Sequence, residues 1–156
     1  MTALAPNDIT QQLQTNLQAQ RDCAHKLLGI MQEERQALLA SDVERLEAIT
    51  RSKSEAASLL QTHGTALLQL RRGARAPGFD TWFVSLRNGL PALWDELLEL
   101  AGRCRAANHD NAVLLGSREA QLKQTLRAFR PAGTPELYGR SGYAPLGLGA
   151  RQFGSA

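Results

Sequence analysis

Leu, Ile, Met and Ala recur at spacings of three, four and seven over three long stretches of this chain, and that rhythm restricts it to long amphipathic helices. The first stripe is Ile9, Leu13, Leu17, Ala24, Leu27, Leu28, Met31, Leu38 and Leu39, with a polar Gln-rich face between (Gln11, Gln12, Gln14, Gln18, Gln20). Pro6, Asn7 and Asp8 are expected to precede and cap this helix, which runs to about Ala40. Ser41 to Glu44 reads as a capping box with Ser41 at the cap. It either starts a new helix or marks a tight break between two antiparallel ones; the second stripe that follows is Val43, Leu46, Ile49, Ala56, Leu60, Leu67 and Leu70, and Arg71 and Arg72 stand near its negative end. Residues 73–78 (GARAPG) form a linker.

After the linker, Asp80 is expected to cap a short helix holding Trp82, Phe83 and Leu86, which ends near Asn88 and Gly89. Pro91 suits the first turn of a third long helix, where its missing N–H costs nothing. That stripe is Leu93, Leu97, Leu100, Cys104, Leu114, Leu115, Leu122, Leu126 and Phe129, and Pro131 ends it. Asn108 to Asn111 are poor helix formers lying inside it, so Asn108 and Asn111 either bond across to another helix or to a partner, or stand as two exposed amides. The fold class is therefore all-α: an antiparallel bundle of three long helices with a short extra helix. Residues 1–130 form the helical domain, and residues 131–156, with six Gly and three Pro, form a flexible tail.

Composition narrows the function. Aromatics are only 5% of the 156 residues, and β-branched residues are scarce, which disfavours a sheet. No apolar run approaches the roughly 20 residues of a membrane span. The opening MTALAPNDIT lacks the basic flank and apolar stretch of a signal peptide, so a cytoplasmic protein is expected. The net charge of +3 is uneven: residues 1–70 carry −2, residues 71–116 carry +1 and residues 117–156 carry +4. No dense basic cluster suggests a nucleic-acid surface.

Candidate chemistry is thin. His25, His63 and His109 lie on separate helical segments with no Cys or carboxylate at ligand spacing, so no metal site is expected. His25 followed directly by Lys26 departs from the phosphotransfer pattern, which places Lys three residues on. Cys23 and Cys104 read as separate reduced thiols. Glu33-Glu34-Arg35 and Asp95-Glu96 are solvated helix faces, and Trp82 and Trp94 are packing anchors. No phosphate loop, nucleophile elbow or HExxH is present. The chain reads as a binding protein, without cofactor or catalysis. The tail, by contrast, keeps Leu137, Tyr138, Tyr143, Leu146, Leu148 and Phe153, more apolar groups than solvation alone needs.

Taken in order, several pieces resemble the FlgN family of flagellar export chaperones. They are Leu27-Leu28 through Glu34-Arg35-Gln36-Ala37-Leu38, then Asp42, Leu46, Ile49 and Lys53, then Trp82, Trp94, Leu97-Leu98, Cys104, Asn108 and Asn111, and last Leu137-Tyr138-Gly139 with the Gly-rich end. The second Asn is often followed by Gly in the family, whereas Ala112 follows Asn111. The resemblance implies a cytoplasmic protein that binds the hook–filament junction proteins FlgK and FlgL and delivers them to the flagellar type III export apparatus. It places client binding toward the carboxyl end. There Leu115, Leu122 and Leu126 with Leu137, Tyr138, Tyr143, Leu146, Leu148 and Phe153 supply apolar contacts, and Arg127, Arg130, Arg140 and Arg151 favour an acidic partner. The alternative is a coiled-coil adaptor that oligomerises through the same stripes.

Overall fold

The computed structural model describes residues 6–130, and the expected tail, 131–156, lies outside them. The element order is α1 (Pro6–Ala40), α2 (Val43–Gly73), α3 (Phe79–Leu86) and α4 (Leu90–Ala128), with no strand among the described residues. The chain divides into two units, Met1–Glu119 and Ala120–Ala156, and the division falls inside α4. The all-α bundle read from the leucine spacing is thus the fold.

Helix boundaries differ from the sequence reading in three places, each for a local reason. Pro6 is already helical, as its fixed φ and missing N–H allow in a first turn, so Asp8 sits in that turn rather than ahead of it. Ser41 is not a cap. It takes φ 56°, and the N–H groups of Ser41 and Asp42 bond back to the Leu38 and Ala37 carbonyls at 3.2 and 3.0 Å, which closes α1 in a Schellman turn. Asp42 then caps α2, accepting from the Arg45 N–H at 3.0 Å. The helix α3 is opened by Gly78 without a side-chain cap, and the Asp80 carboxylate instead accepts from the Trp94 indole at 2.8 Å. Between α3 and α4, Arg87, Asn88 and Gly89 take consecutive positive φ angles, and Gln14 of α1 donates to the Asn88 carbonyl at 2.8 Å, tying that turn to the bundle.

The first unit packs around α1. Helix α2 returns antiparallel to α1, with Asn16 donating to the His63 carbonyl at one end and Lys53 meeting Glu34 toward the other. Helix α4 runs parallel to α1, as the third long helix of an up-down-up bundle must. Contacts step along the pair in constant register: Cys104 to the Ala24 carbonyl, Asn111 to the Met31 carbonyl and Arg118 to the Leu39 carbonyl. Leu13, Leu17, Ala24, Leu27 and Met31 of α1 are buried with Ala56 and Leu67 of α2 and Leu97, Leu100 and Cys104 of α4. Three aromatic residues gather around Phe83, which has no exposed surface: Trp94 faces it edge-on at 5.4 Å, with Phe79 and Trp82 at 5.6 and 5.7 Å.

Candidate functional site

Two surfaces stand out, one in each unit. The first is an open groove of about 500 Å³ in which α1 supplies Gln20, Ala24, Leu27 and Met31, α2 supplies Lys53, Ala57 and Leu60, and α4 supplies Trp94 to Asn108. Its cause lies in the sequence. Ala24, Ala57 and Ala101 contribute one small side chain from each helix, so the facing ridges leave a trough instead of interlocking. Leu98, 48% exposed, stands in this groove away from the buried stripe of α4.

The polar pair expected at Asn108 and Asn111 is split by helical geometry, since residues three apart sit on related but distinct parts of a face. Asn111 is 3% exposed, and its amide donates to the Met31 carbonyl at 2.8 Å and to the Glu34 carboxylate at 2.9 Å. Glu34 also accepts from Lys53 Nζ at 3.0 and 3.1 Å, so one carboxylate joins all three long helices. Asn108 is exposed and lines the groove. Replacing Asn111 by Ala removes both cross-helix bonds, one of them to a charged group, and is expected to cost about 1–3 kcal/mol of stability. Asn108→Ala is expected to cost under about 0.5 kcal/mol. Denaturant titration of the two single variants measures the split, and equal small losses would show that Asn111 does not pin the bundle.

Cys104 is buried, which disfavours its thiolate. Burial pushes its pKa up, the nearby Arg103 offsets this only in part, and the Sγ donates to the Ala24 carbonyl at 3.5 Å. Cys23 is half-buried and unpaired with Cys104. His25 stands 3.8 Å from Glu96 on the surface, and no cluster of metal-ligating side chains occurs among the described residues. None of the helices is long and apolar enough to cross a membrane among those residues.

The second surface is the last part of α4. Leu122 and Leu126 are 61% and 59% exposed, and Phe129, in the turn that follows, is 80% exposed. Spacings of four and three place them on one side of the helix. Leu115, in the first unit, is 45% exposed, while Leu114 beside it is half-buried. The expected stripe therefore continues along α4 as a core stripe only to Asn111 and Leu114. Arg127 and Arg130 are exposed as well. Leu137, Tyr138, Arg140, Tyr143, Leu146, Leu148, Arg151 and Phe153 lie outside the described residues. Sequence reasoning missed the groove, and the signal available was the Leu97-Leu98 pair, in which only one leucine can face the core.

Long parallel and antiparallel helices, an apolar trough and an uncovered leucine stripe define an all-α bundle with surfaces suited to contact with other helices. Comparison with characterised proteins and with solved structures gave no match. A family model described as FlgN protein matches residues 1–145, nearly the whole sequence. The chain belongs to the FlgN family, a family of flagellar chaperones.

Proposed function

We propose that the chain is a cytoplasmic chaperone that holds the hook-associated proteins FlgK and FlgL by their terminal helices and delivers them to the type III export apparatus. It works by capture, without catalysis or a cofactor. The observation that carries this reading is the exposed apolar row Leu122, Leu126 and Phe129. Leucine on a solvated helix face is costly to leave in water and gains about 1.5–3 kcal/mol per side chain when a partner covers it. A client helix that would otherwise self-associate through its own apolar face is a fitting cover. Leu137, Tyr138, Tyr143, Leu146, Leu148 and Phe153 extend the apolar contacts, and Arg127, Arg130, Arg140 and Arg151 match an acidic client surface.

The test compares the full chain with one ending at Arg130 as bait in extracts of motile cells. Both are expected to retain FlgK and FlgL, the shorter chain at least about tenfold less, if the tail adds close to 1.4 kcal/mol. Recovery of neither protein by the full chain sinks the client assignment. Recovery only of further copies of the chain, as a stable oligomer, would favour the coiled-coil adaptor.

A further inference from the structure

We propose that the groove between α2 and α4, floored by α1, is a second docking site, and that it takes an amphipathic helix of a partner protein with acidic residues flanking its apolar face. The site is separate from the stripe at the end of α4. All the groove's residues fall between Gln20 and Asn108.

Dimensions support a helix as the occupant. Along α1 the floor runs from Gln20 to Met31, about three turns or roughly 16 Å. A docked helix would set anchors at i, i+4, i+7 and i+11 over that length and complete a four-helix bundle. Ala24, Ala57 and Ala101 provide the depth, and Leu98 and Trp94 provide apolar walls.

Charge selects among occupants. The lining holds two cations, Lys53 and Arg105, and no carboxylate. Lys53 is engaged by Glu34, whereas Arg105 is exposed and makes no ion pair among the described residues. Residues 117–156 contain six basic and two acidic side chains, so neither the tail nor the end of α4 from a second copy complements Arg105. A helix flanked by Glu or Asp does.

The probe is a synthetic 18-residue helix with Leu at i, i+4, i+7 and i+11 and Glu at the flanking positions, paired with a twin carrying Lys in place of Glu. Fluorescence anisotropy against the full chain is expected to show the Glu peptide binding at least tenfold tighter than its twin. Ala57→Phe fills the groove from an exposed position and is expected to weaken the Glu peptide at least tenfold, with the melting temperature unchanged. Arg105→Glu is expected to invert the preference between the twins. The net charge then falls only from +3 to +1, so an inversion reports the groove rather than the whole molecule. Leu122→Asp with Leu126→Asp is expected to leave peptide binding intact, which separates this site from the proposed client surface. Equal affinity for both twins, or no effect of Ala57→Phe, overturns the proposal. Two further results also overturn it by naming another occupant. One is a dimer in sedimentation equilibrium that Ala57→Phe abolishes. The other is a tenfold gain in peptide affinity when the chain ends at Arg130.

Discussion

If FlgK is a client as proposed, replacing Leu122 and Leu126 together by Asp is expected to weaken binding of its terminal helices by at least about a hundredfold, while the melting temperature of the free protein hardly moves. Two leucines passing from water into an interface contribute about 3–6 kcal/mol in transfer free energy, and each factor of ten in affinity corresponds to about 1.4 kcal/mol. Only part of the transfer term survives the ordering costs of association, which leaves about 3 kcal/mol as the expected loss. Stability is spared because both side chains are already more than half exposed in the free protein. Calorimetric titration with a terminal-helix fragment of FlgK, run beside thermal melts, separates the outcomes. Unchanged affinity would move the client away from α4. Equal losses of affinity and stability would make the stripe part of the folded core.

The largest effect on stability is expected from Phe83→Ala, at about 3–5 kcal/mol. Phe83 is fully buried and contacts three aromatic rings with centroids 5.4–5.7 Å away, so truncation leaves a cavity that three rigid neighbours cannot easily fill. Typical domains hold only about 5–15 kcal/mol of net stability, so this one change removes a large share. Val84→Ala, one residue on and 62% exposed, is the control and is expected to cost under about 0.5 kcal/mol. Guanidinium titration of both variants gives the comparison. A loss below about 1 kcal/mol for Phe83→Ala would mean that α3 is an appendage and not part of the cooperative core.

Helix identity was legible in the sequence because burial follows the 3.6-residue period: Leu13, Leu17, Ile49, Leu67, Leu97 and Leu100 are all interior. Partnering was not legible. Leu39 and Val43 continue their stripes and yet are 46% and 69% exposed, because they lie where α1 ends and α2 begins and have fewer neighbours to cover them. At Ser41 two roles competed, and the closing of α1 won over the opening of α2. Asn108 and Asn111 stood out as polar groups that could bond across to another helix, but that only Asn111 does so depends on the register between α1 and α4, which no local pattern encodes. The groove was hidden for the same reason, since three alanines on three helices form a trough only once those helices are side by side.

The parallel pairing of α1 with α4 has a consequence for biogenesis. Cys104 meets Ala24, and Asn111 meets Met31, across 80 residues of chain. The hairpin of α1 and α2 can form from neighbouring segments as it leaves the ribosome, but one side of α1 must wait for α4. At about 5–20 residues per second that delay is roughly 4–16 s. Over that interval Ala24, Leu27 and Met31 lack their last covering helix, and the nascent chain itself presents the kind of sticky surface that chaperones shield.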